Sequence, residues 1–180
     1  MAWLLVPALV AAVVLFVVNS ICWMALKHHM SDFKQMPNRD AVEAALKGIP
    51  PGGFYCLPHM ADFGNNCKDP KMAERFAAGP NVSLVACKPG PMMAGSVFVF
   101  GFVLNLVEAV ALVGILHIMR GYTDLVHAVV YAAALGALVR GVGPVSQANW
   151  MKYPWAYAWK VIGDGVVAYA IAAVVIRAIG

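Results

Sequence analysis

Apolar positions in this chain run in long blocks. Ser96 to Met119, SVFVFGFVLNLVEAVALVGILHIM, holds one carboxylate, Glu108, in twenty-four residues. At a rise of ~1.5 Å per residue it is long enough to cross a hydrocarbon core of ~30 Å, which predicts a transmembrane helix. Ala2 to Leu26 carries no charged side chain and stops at Lys27, His28 and His29. It lacks a basic n-region and its apolar run is too long for a secretory signal, so it is expected to be a retained span. A third block runs from about Thr123 to Val142, after a turn at Arg120, Gly121 and Tyr122 that should make the second and third spans antiparallel neighbours. Gly141, Gly143 and Pro144 are expected to end it. The connection SQANWMKYPW then leads into a fourth span, about Ala156 to Ile179.

Between the first two blocks the pattern changes. Lys27 to Pro91 holds most of the charges and no stretch long enough to span. Asn38 is placed to cap a helix over Arg39 to Lys47 that ends at Gly48, and Asp69 followed by Pro70 opens another through Ala78 that stops at Gly79. GFYCL (Gly53 to Leu57) and VSLVAC (Val82 to Cys87) are short β-prone runs that should pair. The predicted fold class is an all-α membrane protein: four transmembrane helices with a small α+β extramembrane cap between helices 1 and 2. The segments are 1–26, 27–91 and 92–180.

Composition agrees with the pattern. The chain is 62% hydrophobic and 12% charged, with mean hydropathy of +0.73, far from a soluble domain. The net charge of +4 is spread over loops and helix ends, which excludes a nucleic-acid footprint and leaves the lipid bilayer as the first partner. Trp150, Tyr153, Trp155, Tyr157 and Trp159 gather at one level, as in an interfacial aromatic belt.

Polar residues inside the spans are the candidate chemistry, because an ionised group in lipid must be paired, protonated or turned toward protein. Asn19 in the first span calls for a hydrogen-bonding partner helix. Glu108 and His127 are expected to pair across the second and third spans. Arg140 is expected to pair with Asp164, with Lys160 one turn from Asp164 on the same helix. The bland reading of these pairs is structural, fixing helix register. The sharper readings are proton handling by Glu108 and His127 and a ligand headgroup bound by Arg140.

Cys56, Cys67 and Cys87 fall in the cap and Cys22 in the first span. An oxidising compartment would allow one disulfide among the three and leave one thiol over. Cys56, His59, Met60 and Cys67, with His28, His29 and Met30 nearby in sequence, offer soft donors suited to copper or zinc, though their spacing matches no established ligand signature. Lys27, Lys88, Lys152 and Lys160 flank one side of the membrane and Arg120 and Arg177 the other. Long loops count little in the positive-inside rule and cysteines favour an oxidising space, so the expectation is termini inside and cap outside.

PNRDAVEAALKGIPPGGFYCLP (Pro37 to Pro58), AGPNVSLVACKPG ending at Gly90, and NWMKYPWAYAWKVIGDGVVAYAIAAVV (Asn149 to Val175) resemble an uncharacterised family of small bacterial four-span integral membrane proteins. The resemblance implies a multi-pass protein of the bacterial inner membrane with this order of spans, and carries no activity or catalytic residues. Cys56 and Cys87 stand where that pattern has aromatic or apolar residues. No nucleophile elbow, phosphate loop, dinucleotide fingerprint, HExxH or haem-attachment motif occurs, and no catalytic residue is assigned. The leading expectation is a non-catalytic accessory or scaffolding subunit with protein partners in a membrane complex. The alternatives are a small-solute or proton-coupled transporter and an extracytoplasmic metal-handling or redox protein.

Overall fold

The computed structural model describes residues 2–91, 93–119 and 124–179. It divides into two compact units: Met1–Lys34 together with Met93–Gly180, and Gln35–Met92. Four helices of the first unit are long and apolar enough to cross a membrane. They are α1 (Ala2–Ser20, extended through Ala25 by a π-helical turn), α5 (Gly95–Met119), α6 (Leu125–Trp150) and α7 (Trp155–Ile179). The smaller unit carries α2 (Arg39–Leu46), β1 (Phe54–Leu57), α3 (Phe63–Asn66), α4 (Pro70–Ala78) and β2 (Val82–Val85). The predicted fold class therefore holds, a four-span helical membrane protein with a small two-stranded sheet between the first and second spans.

The end of α1 departs from a plain helix for local reasons. Ser20 Oγ donates to the Phe16 carbonyl at 2.8 Å, a back-bond that bends helices. The following turn, Ile21–Ala25, widens to π geometry, with Leu26 N donating to Ile21 O at 2.9 Å. Lys27 then adopts a left-handed backbone (φ 55°), which ends the helix and turns the chain into a 3-10 turn over His28–Asp32. Lys27 to Lys34, expected to open the aqueous segment, thus belong to the membrane unit.

Packing in the membrane unit is organised by small residues. Burial of apolar side chains gives no net drive between helices already in lipid, so close backbone approach and polar contacts decide which helices meet. Ala128, Ala132, Gly136 and Gly141 on α6, and Ala158, Gly165, Ala168, Ala172 and Ala173 on α7, are all buried. These two helices form the most extensive interface, while α1 packs on α5 and α7 and α5 meets α6 at only a few positions. The expected side-by-side packing of the second and third spans is therefore corrected. A short connection holds helices together at one end only, whereas the Ala/Gly seam brings α6 and α7 together along their length. The connection itself, residues 120–123, lies outside the described residues.

The third span is also longer than expected. Gly141, Gly143 and Pro144 do not end it, and α6 continues to Trp150, leaving only Met151 to Pro154 before α7. Membrane helices accept an internal proline when neighbours satisfy the freed backbone groups.

In the smaller unit β1 and β2 pair antiparallel, Phe54 opposite Val85 and Cys56 opposite Ser83. Asp69 caps α4 by accepting from Lys71 N at 3.0 Å, with Pro70 in the first turn. Asn38 differs from expectation. It precedes α2 with a left-handed backbone (φ 51°) and makes no side-chain cap bond, so α2 begins without one. No described residue between Gln35 and Pro91 is fully buried.

The tightest point of the α6–α7 seam is testable. A Cβ at Gly136 would overlap the Gly165 carbonyl, and one at Gly165 would lie 2.9 Å from the Arg140 side chain. Gly136→Ala should destabilise the protein by about 1–3 kcal/mol through overpacking, read as a lower thermal midpoint in detergent. Gly163→Ala, whose Cβ meets nothing within 4 Å, should leave the midpoint unchanged or raised.

Candidate functional site

Two polar clusters are built into the membrane unit. The first ties all four long helices together. Asn19 Nδ2 on α1 donates to Asn105 Oδ1 on α5 at 2.9 Å. Arg140 Nη2 on α6 donates to the same oxygen at 3.0 Å and to Glu108 Oε2 at 2.7 Å. Tyr169 Oη on α7 donates to Glu108 Oε2 at 3.1 Å. Asn105 Nδ2 is satisfied by the Gly101 carbonyl at 2.7 Å, one turn back on its own helix. Asn19 thus has the interhelical partner expected of it.

Glu108 is held by Arg140 rather than by His127. Counted from the ends that face each other, Glu108 lies ~16 Å along α5 from Met119 whereas His127 lies only ~3 Å along α6 from Leu125. His127 instead sits in the first turn of α6. Its N–H donates to the N-cap Asp124 Oδ1 at 2.9 Å, and its Nδ1 lies 2.8 Å from the same oxygen.

The expected Arg140–Asp164 pair is likewise replaced. The two residues sit at similar depth, but the stem of Arg140 packs over Gly165, the residue that faces α6. Asp164, one position earlier and ~100° around the helix, points elsewhere.

Asp164 belongs to the second cluster, where the turn after α1 folds against α7. His28 Nε2 lies 3.0 Å from Asp164 Oδ1, and His29 Nε2 lies 2.8 Å from Asp164 Oδ2. The other nitrogen of His29, Nδ1, lies 3.1 Å from Asp32 Oδ2. His29 is fully buried, stacked on Trp23 with ring centroids 4.1 Å apart and met edge-on by Tyr157. Lys160 fixes the turn, its Nζ donating to the His28 carbonyl (2.8 Å), Ser31 Oγ (2.7 Å) and Asp32 Oδ1 (2.7 Å). The hydrogen bond from Lys160 holds the Asp32 carboxyl below the usual carboxylate range; burial opposes this and the His29 contact adds to it. The buried Cys22 thiol lies beside Asp164.

Chemically, the first cluster is a neutralised ion pair flanked by amides and a phenol. The second presents two imidazole nitrogens and a carboxylate oxygen within 4.8 Å of one another. Among the described residues, that is the group of His, Cys, Asp and Glu side chains with metal-site spacing. The metal set expected in the cap does not assemble. Cys56 and Cys67 are exposed thiols, His59 is exposed and Met60 half-buried, and these residues form no such group. The expected disulfide is also absent, since Cys56 faces Ser83 across the sheet (3.7 Å) and Cys67 and Cys87 are free.

Comparison with protein-family models, curated proteins and solved structures found no match for this chain. The site must be read from its own geometry. Asn105, Glu108, His127, Arg140 and Asp164, the residues that would line a transport cavity, are divided among the four-helix network, the cap of α6 and the turn after α1. Sequence reasoning missed Tyr169, Trp23, Ser31 and Asp32. The signals available for the second cluster were Lys160 and Asp164 at i and i+4 and the histidine pair just past the first span.

Removing one member of the ion pair strands the other, a loss of about 1–3 kcal/mol for a partly buried pair. Glu108→Ala should lower stability by that order. Glu108→Ala with Arg140→Ala should lower it by less than the sum, the coupling reading about 0.5–3 kcal/mol in a double-mutant cycle of unfolding in detergent. Additive losses would mean the contact contributes nothing.

A second expectation concerns Asp124, whose carboxyl is held below the usual carboxylate range first by the backbone N–H of His127 and then by its side chain. A depressed folded value means that the cap stabilises α6 fully above the unfolded pKa of about 3.9 and is lost as pH falls through the lower folded value. The stability difference between the wild type and Asp124→Ala should stay constant from neutral pH to about 5, then decline below about 4 and be lost as pH passes through the lower folded value.

Proposed function

We propose that this multi-pass membrane protein is a non-catalytic accessory or scaffolding subunit of a larger membrane complex. The observation that carries this reading is the two-stranded sheet of the smaller unit. Phe54 and Val85, opposite one another on one face, are 51% and 57% exposed, and Leu57 at the end of the other face is 57% exposed. A two-stranded sheet without a buried core is marginal by itself, so its apolar face calls for cover by another surface. A partner chain supplies that cover in the proposed assembly.

The four-helix polar network supports the same reading. Asn19, Asn105, Glu108, Arg140 and Tyr169 bond one another across all four long helices, which serves helix register, although Arg140 Nε is buried without a hydrogen-bond partner. In this proposal the membrane is the bacterial inner membrane, on the strength of the motif resemblance, and the cap lies on the periplasmic side with both termini in the cytoplasm.

A photo-crosslinking residue at position 54 or 85 in the native membrane should capture one distinct membrane protein in stoichiometric yield. Phe54→Asp combined with Val85→Asp should abolish co-purification of that protein while leaving the thermal midpoint of the isolated chain unchanged. Crosslinks formed only within the chain, or a double variant that still co-purifies the captured protein, would overturn the reading.

A further inference from the structure

We propose that His28, His29 and Asp164 form a binding site for a divalent first-row transition metal ion, with zinc as the probe, which staples the turn leaving α1 to the middle of α7. The inference is independent of the scaffold reading, because it concerns the membrane unit alone. Five features carry it.

The donor set is chemically right. Two imidazoles and a carboxylate are the combination that binds Zn(II) and its neighbours, whereas hard cations such as magnesium take oxygen ligands. The donor atoms already converge. His28 Nε2 and His29 Nε2 address different oxygens of one carboxylate at 3.0 and 2.8 Å, and the ligand atoms lie within 4.8 Å of one another. With metal–ligand bonds of about 2.0–2.1 Å, tetrahedral ligand atoms stand about 3.3 Å apart, so the contacts at 2.8 and 3.0 Å open by a few tenths of an ångström while a pair near the 4.8 Å limit closes by about 1.5 Å as a cation enters.

The outer shell is in place for His29, while His28 Nδ1 is buried without a hydrogen-bond partner. A metal-binding histidine normally donates its second ring N–H to a carboxylate or carbonyl, which fixes the tautomer and turns the other lone pair to the metal. His29 has this arrangement. Its Nδ1 faces Asp32 at 3.1 Å while its Nε2 faces Asp164, and Asp32 is itself held by Lys160 at 2.7 Å.

Ring orientation is locked too. His29 is fully buried between Trp23 and Tyr157, and Lys160 ties down the backbone of the turn at the His28 carbonyl. Finally, the cluster is open on one side, since the His28 side chain is 31% exposed and that of Asp164 15%. The metal reading thus moves from the soft donors of the cap to hard and borderline donors at the membrane unit, and from copper toward zinc.

Protein purified in mild detergent, stripped with a chelator and dialysed, is titrated with zinc chloride by calorimetry, with elemental analysis of the product. One zinc per chain is expected, accompanied by a rise of the thermal midpoint with zinc concentration. His28→Ala, on the exposed edge of the turn, should weaken binding at least a hundredfold and abolish the thermal shift. Asp32→Asn, which touches no metal, should weaken it by about 10–100-fold as an outer-shell loss. The triple variant Cys56→Ser, His59→Ala, Cys67→Ser should bind as the wild type does.

Because Asp164→Asn risks misfolding, cobalt(II) binding to the unaltered protein provides a second readout. Weak d–d absorption that competes stoichiometrically with zinc supports the site. Substoichiometric zinc, full binding in His28→Ala, or loss of binding in the cap triple variant would overturn it.

Discussion

Placing a charge inside the membrane constrains this structure more than any other demand. Glu108 lies too far along α5 to reach water by extending toward the end of its helix, so it is neutralised where it stands, by Arg140 at 2.7 Å. The consequences spread through the bundle. Arg140 must be long because α5 and α6 are not close neighbours, and its stem must cross α7, which is possible where Gly165 offers no side chain. One residue without a Cβ therefore serves two purposes, closing the α6–α7 seam and leaving a path for the guanidinium. Tyr169 adds a hydrogen bond to Glu108 and Asn105 accepts one from Arg140, and Asn19 brings α1 into the same network.

A second charged residue of the spans, Asp164, is handled differently, and the contrast follows from where the chain can bring cations. It lies ~14 Å from the start of α7, and there the turn folding back from the end of α1 reaches it. The left-handed Lys27 makes that turn, the Trp23 ring provides a flat wall for His29, and Lys160 locks the turn from above. Arginine serves in the bundle, where a planar, permanently charged donor can bridge an amide and a carboxylate. Histidines serve at the turn after α1, where their ring nitrogens meet both oxygens of Asp164.

The smaller unit poses the opposite problem. It has turn chemistry in good order, with Asp69 and Pro70 opening α4 and the two strands in register, but too few residues to enclose a core. Its free thiols do not cross-link it. Structure of this kind gains from an external surface, and its exposed Phe54 and Val85 mark where that surface would apply.

Hydropathy alone determined that the chain has four membrane-crossing helices with a small mixed cap between the first two, because block length against bilayer thickness depends only on composition along the chain. Local rules also placed α4 and the paired strands, since a cap residue, a proline at the first turn and short aromatic or β-branched runs act over a few neighbours. That Glu108, Arg140 and Asp164 needed partners was equally legible, since the cost of an unpaired charge in lipid is a property of the residue.

Which partners they took was not. Depth can be counted along a helix, but the direction in which a side chain points depends on which face packs against which neighbour. Here that choice was made by the Gly136–Gly165 contact. Once α6 turned its small residues to α7, Asp164 faced the turn after α1, and Arg140 was left to find Glu108 on the far helix. The histidines, read from sequence as outliers of the cap, became part of the membrane unit only because Lys27 reversed the chain. Tertiary packing decides such pairings because they join groups 32 to 136 residues apart, beyond the reach of any local pattern.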